Sequence, residues 1–275
     1  MTNPGRSIRS LALLLATITL FPSSGRALVL RPSATDRGVF QGSDTLRILA
    51  YNTHHGEGLD GVLDLERIAN VIRSVNPDVV ALQEIDRMVE RTGQVDQAKV
   101  YGELTGLTPL FGDFMPYQGG HYGMALLSRY PVQEWENVRL PPGEEPRSSV
   151  AARIRIPASG RDVWVAGIHF YRTEEERLAQ ARGILEFFQG VEKPVFLVGD
   201  FNSFQGGPIL SALETTWNRP EKEGNTFTFP ANDPQREIDF ILIRPAEHIR
   251  VLEYRVLDEE VASDHRPIFM VVEIL

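Results

Sequence analysis

The sequence predicts a mixed-sheet α/β protein, and three observations carry that prediction. About ten short apolar runs of strand length recur along the chain, separated by Pro- and Gly-containing turns. Two stretches instead carry apolar residues at helical spacing. The order is irregular, so the strict strand–helix alternation of a doubly wound parallel sheet is not expected. With 275 residues, 42% hydrophobic and 24% charged, the chain has ordinary globular composition and enough length to bury a core.

The first 27 residues read differently from the rest. Arg6 and Arg9 form a basic start, Leu11 to Phe21 ("LALLLATITLF") is an apolar stretch too short to span a bilayer comfortably, and Gly25-x-Ala27 is a small-x-small cleavage pattern. Residues 1–27 are therefore expected to be a secretory signal peptide, with an uncleaved membrane anchor as the competing reading. Export to the periplasm or outside the cell follows from it. Residues 28–43 lack periodicity and read as a leader, and residues 44–275 as one domain, since no linker interrupts them. Removing residues 1–27 takes away three arginines and no acid, moving the formal net charge from −9 to −12. That balance does not by itself attract nucleic acid, which needs clustered Lys and Arg. The chain has no cysteine, so an exported form must be held by core burial, and thiolate zinc sites are excluded.

"LRILAYNT" (Leu46 to Thr53) is the first buried strand. "LERIANVIRSV" places Leu65, Ile68, Ile72 and Val75 on one helical face, and Asn76-Pro77 stops it. "DVVALQEI" (Asp78 to Ile85) is the second strand. "GMALLSRYPV", "SSVAARIRI" and "RDVWVAGIHF" follow as β-rich runs. The clearest helix begins after Thr173, with Glu176 three residues on as a capping box; Leu178, Ala181, Leu185 and Phe188 share its apolar face and Gly190 ends it. "PVFLVGDFN", "EIDFILI", "HIRVLEYRVLD" and "PIFMVVEIL" complete the strands.

Polar residues gather at the ends of these runs. Asn52 ends the first and is followed by His54 and His55. Gln83-Glu84 end the second, and "WVAGIH" ends in His169. "FLVGDFN" ends in Asp200 and Asn202, two residues apart and so expected on one face of the strand. Asp239 opens "DFILI", and Asp264-His265 precede the last strand. Buried carboxylates are costly unless paired or metal-bound, so several of them accompanied by histidines point to a convergent site. The donors are hard oxygens (Asn52, Glu84, Asp200, Asn202, Asp264), which suit Mg²⁺ or Mn²⁺. His265 is a candidate general base or phosphate contact. Adjacent residues on an extended chain point oppositely, so Asp239 rather than Asp264 is its expected carboxylate partner, leaving Asp264 for the metal. His121, in "QGGHYG", is a weaker candidate.

The set "YNTHHGEG", "PDVVALQEID", "YGMALLSRYP", "GIHF", "VGDFNS", "REIDFIL" and "SDHRPI", in this order over residues 46–270, resembles the endonuclease/exonuclease/phosphatase superfamily, the DNase I-like proteins. The resemblance implies a four-layer α/β sandwich of two mixed sheets packed face to face, with helices outside and the site at one end. It implies Mg²⁺- or Mn²⁺-dependent cleavage of a phosphoester by in-line attack of water. Carried over by position, Asn52, Glu84 and Asp264 match the metal-side residues, His169 the histidine on the scissile phosphate, Asp200 and Asn202 the pair that positions water and phosphate, and Asp239 and His265 the acid and catalytic histidine. Arg147 falls where many members carry a substrate-contacting arginine, and His54 is a candidate for the substrate pocket.

The departures narrow the subgroup. His54 stands where apurinic endonucleases carry an Asp, and no long apolar hairpin of the membrane-acting sphingomyelinase kind is present. The "HHGEGLDG" loop and "TEEERLAQ" resemble uncharacterised exported bacterial members. The expected substrate is a phosphate ester, whether small molecule, lipid headgroup or nucleic acid. The acidic balance favours the first two, with a DNase I-like endonuclease as the alternative. A non-catalytic binding protein on the same fold is the reading from another class. No obligate protein partner is inferred.

Overall fold

The computed structural model describes residues 44–275. The signal peptide and leader expected over residues 1–43 lie outside the described residues. Eleven strands form two sheets. The first has the order β10-β11-β1-β2-β4-β3 and the second β5-β6-β7-β8-β9. In chain order these are β1 Thr45–Asn52, β2 Val79–Arg87, β3 Thr108–Tyr117, β4 Gly120–Ser128, β5 Val132–Arg139, β6 Ser148–Arg155, β7 Asp162–His169, β8 Val195–Asp200, β9 Asp239–Arg244, β10 Ile249–Val256 and β11 Ile268–Ile274. The pairs β1–β2 and β7–β8 are parallel and the rest antiparallel, so both sheets are mixed.

Strand alternation builds the layers. Leu46, Ile48 and Ala50 of β1, Val79 and Ala81 of β2, Val163 and Val165 of β7, Phe196 and Val198 of β8, and Ile241 and Ile243 of β9 share one buried cluster between the sheets. The opposite parity faces outward. On the first sheet, Leu49, Val80 and Leu82 pack against Ile68, Ala69 and Ile72 of α1 (Leu65–Val75) and Ala98 and Tyr101 of α2 (Gln97–Thr105). On the second, Ala166, Ile168, Leu197 and Leu242 pack against Ala181 and Ile184 of α3 (Glu174–Phe187) and Ile209, Leu210 and Leu213 of α4 (Pro208–Leu213). The result is the four-layer sandwich, helix–sheet–sheet–helix.

Local signals place the helices. Asp64 caps α1 by accepting from Arg67 N at 2.9 Å, a contact of the kind worth about 1 kcal/mol. Asn76 ends it in the left-handed conformation. Thr173 caps α3, but the reciprocal half of the expected capping box is replaced. The Glu176 carboxylate accepts from the Thr173 hydroxyl at 2.6 Å and from Glu144 N, rather than from the Thr173 backbone. The buried face of α3 is Gln180, Ala181 and Ile184, continued by Phe188. Leu178 and Leu185 are only half-buried, because the face turns by one residue to admit Gln180, whose Oε1 accepts from Tyr171 N. The sequence also underestimated the helices. Asp96 caps α2 through Lys99 N, and Pro208 stands at the first turn of α4, but both helices are too short for a sustained period.

Candidate active site

The inter-sheet layer ends in polar residues without changing its parity. On β1 the inward positions 46, 48 and 50 continue to Asn52. On β7 the positions 163 and 165 lead to His169, on β8 the positions 196 and 198 lead to Asp200, and on β9 the positions 243 and 241 lead back to Asp239. Register sets three of these side by side, since His169 pairs with Asp200 and Asp200 with Asp239 across β7-β8-β9. Gly199 makes room for this row. Its φ is +141°, and a Cβ there would meet Ile168 O at 2.2 Å and the Gln83 side chain at 2.8 Å.

Glu84 arrives differently. By alternation it belongs on the outer face, but a bulge between Gln83 and Ile85, opposite β4, and a left-handed φ of 59° re-aim it. Among the described residues, four of the eight non-glycine residues with positive φ, namely His54, His55, Glu84 and Asn202, line the same cleft. Each such residue costs on the order of 1 kcal/mol, and this strain concentrates at the site rather than in the core. Asn202 lies beyond the end of β8, so it does not share a strand face with Asp200 as expected. Its left-handed turn brings its backbone N to Asp200 Oδ1 at 2.7 Å and its amide to Phe170 O at 2.9 Å.

The cleft has a volume of ≈ 490 Å³. His54, Glu84, Arg147, His169, Asp200, Asn202, Asp264 and His265 line it, and Asn52 and Asp239 stand buried behind it. Asp200 Oδ2 is the hub. Asn52 Nδ2 lies 3.2 Å from it, His169 Nε2 3.5 Å and His265 Nε2 3.7 Å. Asn52 Nδ2 also donates to Glu84 Oε1 at 3.2 Å, tying the bulge on the first sheet to the row on the second. His265 Nδ1 lies 2.9 Å from Asp239 Oδ2, so Nε2 is the nitrogen that His265 turns toward Asp200. Ser263 accepts from His265 N at 3.3 Å and donates to Asn52 O at 2.7 Å, which fixes the approach to β11. Buried Lys222 donates to Glu237 at 2.6 Å and to Asp239 O at 2.8 Å. It anchors the backbone under the His265–Asp239 pair without lining the cleft.

Electrostatics follows the burial. Burial raises the Asp200 carboxyl to about 7, with Asp239 adding to the rise and His265 opposing it. For His265, burial disfavours the charged ring, but the carboxylates of Asp239 and Asp200 outweigh it and raise the imidazole to about 10. Burial holds His169 well below its ordinary value, with Arg147 and His265 reinforcing the effect, and its Nδ1 is buried without a hydrogen-bond partner. His55 is lowered to about 4 by burial and by Arg91.

The donor chemistry fits a hard divalent cation. Glu84 and Asp264 present carboxylates to the cleft. A second group, Asp200, Asp239 and His265, brings its ligand atoms within 4.8 Å of one another and could also hold an ion. The two groups are not equivalent, because His265 is already engaged by both of its acids, whereas Glu84 has one amide hydrogen bond. Asn52 turns its carbonyl oxygen to His54 N at 3.2 Å and its NH₂ to the carboxylates, so a ligand role for its oxygen requires the amide to rotate.

Arg147 is no ordinary surface ion pair. It is 5% exposed, pairs with Glu145 at 2.8 Å and stacks near Phe114, Tyr122 and Tyr171, while its Nε and Nη1 have no partner. His121 does not line the cleft and instead pairs with Asp113 at 2.7 Å. Sequence reasoning did not single out Arg91, Arg172, Tyr117, Tyr122 or Phe229, which also line it. Phe229 packs on the His265 ring at 4.8 Å between centroids. Arg172 follows His169 by three residues, a spacing that by itself assigns it no role.

Comparison with known proteins gives the family and the fold. Residues 49–265 match the Endonuclease/Exonuclease/phosphatase family, and the chain belongs to that family. The uncharacterised protein YbhP of Escherichia coli K12 is 25% identical over 240 residues, covering 82% of this chain and 94% of that protein. An endonuclease/exonuclease/phosphatase from Beutenbergia cavernae superposes with a TM-score of 0.69 at 25% identity, over 84% of this chain and 72% of the other. A mannosyl-6-phosphatase from Bacteroides thetaiotaomicron shares the fold at a TM-score of 0.65 and 20% identity, over 84% of this chain and 99% of its own.

Proposed function

We propose that this chain is an exported, divalent-metal-dependent phosphoesterase that hydrolyses a phosphodiester or phosphomonoester by in-line attack of water. The observation that carries the reading is the Asp200 hub, where side chains from both sheets meet one carboxylate at hydrogen-bond or ion-pair distance. Family membership supports the reaction class, and the basic, apolar N-terminal stretch supports export.

Glu84 and Asp264, with Asn52 once its amide rotates, would hold Mg²⁺ or Mn²⁺. When bound, the ion neutralises charge on the phosphoryl oxygens and on the leaving oxygen. His169 and Asn202 flank the position of the phosphate and stabilise the charge that builds on its oxygens. Arg147, which lines the cleft with Nε and Nη1 buried and without hydrogen-bond partners, adds a positive charge there. Asp239 holds Nδ1 of His265, so the proton of the attacking water is handled between His265 Nε2 and Asp200 Oδ2.

Hydrolysis of bis-p-nitrophenyl phosphate, measured with Mg²⁺ or Mn²⁺ and with EDTA, tests the reading. Turnover that EDTA abolishes and either ion restores is expected. Turnover indifferent to EDTA, or none on any diester or monoester while a divalent ion still binds, would favour a non-catalytic or metal-free protein. Plasmid nicking at low salt is the arm that detects endonuclease activity.

A further inference from the structure

A second cavity of ≈ 640 Å³ adjoins the cleft and shares Arg172 and Asn202 with it. Its walls are unlike those of the cleft. Phe204 and Phe227 stand 65% and 43% exposed, the first backed by Gly207. A phenyl ring left in water at the mouth of a polar site is a stacking surface awaiting a partner. Arg172 and Arg236 supply positive charge, and neither is ion-paired among the described residues. The carboxylate in this cavity, Glu237, is already engaged by Lys222 at 2.6 Å. The Arg236 guanidinium lies over the Phe229 ring at 4.6 Å, and that ring packs on His265, so one wall of the second cavity is linked to His265 through Phe229. On a chain of net charge −9, these unpaired arginines beside exposed aromatic rings form a local exception.

We propose that this cavity is a specificity subsite for a planar, anion-bearing group esterified to the scissile phosphate, the chemistry of a nucleotide. The inference rests on the phosphoesterase reading of the adjoining cleft and adds the substrate class. Phe204 and Phe227 take the face of the planar ring, Gln205 offers an amide to its edge, and Arg172 and Arg236 take a second phosphate. A sugar lacks the planar face and the second charge, and the carboxylate that would accept its hydroxyls is occupied.

Calorimetric titration of the His265→Ala protein in Mg²⁺ with adenosine 5′-monophosphate and mannose 6-phosphate tests the subsite without turnover. The nucleotide is expected to bind at least about tenfold more tightly, and adding Phe204→Ala or Phe227→Ala is expected to remove that margin. Adenosine 3′,5′-bisphosphate should bind more tightly again, and Arg236→Ala should cancel that further gain. Equal affinity for the nucleotide and the sugar phosphate, or a margin that survives both phenylalanine substitutions, overturns the proposal. Kinetics separates this from the wider reading. In the otherwise native enzyme, Phe204→Ala should raise the KM for thymidine 5′-(p-nitrophenyl phosphate) about tenfold and leave the KM for ethyl p-nitrophenyl phosphate and both kcat values unchanged. Release of p-nitrophenolate from neither ester would count against the phosphoesterase reading, while the calorimetric margin would still decide the subsite.

Discussion

The two sheets reach the cleft by opposite means. The second sheet delivers His169, Asp200 and Asp239 by plain alternation, in register, each buried and each continuing an apolar row. The first sheet delivers Asn52 the same way but has to break its ladder for Glu84, and the turn after β1 holds His54 and His55 at positive φ. Regular strands produce a dense row whose charges shift one another. Irregular backbone produces a carboxylate that faces the open cleft. On the function proposed above, this separates a proton-handling side, where burial moves titrations, from an ion-facing side, where access matters more than burial.

The comparison breaks most visibly at His265. His265→Ala is expected to lower kcat on bis-p-nitrophenyl phosphate by about 10³-fold, and Asp239→Asn by about 10²-fold. The double variant should be no worse than His265→Ala, because the pair acts as a unit. Additive losses in the purified double variant would show that Asp239 works elsewhere. Next in size, Gly199→Ala is expected to cost more than about 2 kcal/mol in urea unfolding, since backbone and not a flexible side chain blocks the new Cβ. A loss within about 0.5 kcal/mol would mean that the row on the second sheet tolerates a shifted β8.

Glu84→Gln sharpens the other side. It should raise the Mn²⁺ concentration needed for half-maximal activity by at least about tenfold and leave unfolding nearly unchanged, because a neutral amide replaces the open carboxylate without disturbing the bulge. The smallest effect is expected at His55. Its folded value of about 4 lies below the ordinary 6.5, so the unfolded chain binds the extra proton between those values. Its contribution to stability is complete above pH 6.5 and is lost as the pH falls toward 4. His55→Asn, which tolerates the left-handed backbone, should flatten that part of the urea-midpoint profile. Parallel wild-type and variant profiles would mean that His55 does not titrate at the lowered value.

Much of this was legible in the sequence, for reasons that differ by sheet. The elements Leu65–Val75 and Val195–Asp200 follow from helical and strand spacing, and the polar ends of the strands follow from the cost of burying acids in apolar runs. The proximity of His265 to Asp239 was reachable because neighbouring side chains on an extended segment diverge, which disfavours Asp264 as the partner. The bulge at Glu84 was not legible, since a two-residue period contains no signal for one extra residue. The same limit hid the left-handed turn at Asn202. α2 and α4 were missed because nine and six residues hold too few turns to show a period. The gathering of Arg91 and Arg172 beside Arg147 was invisible for another reason, as residues scattered over the chain form no basic run until the strands assemble them.

Where the ion sits decides between the two sides. Anomalous diffraction from crystals soaked in Mn²⁺ measures it directly. A manganese peak in contact with the Glu84 carboxylate, with His265 still hydrogen-bonded to Asp239, is the expected result. A peak held by Asp200, Asp239 and His265 instead, with Glu84 uninvolved, would put the metal among the buried proton-handling groups and contradict the division of labour described above.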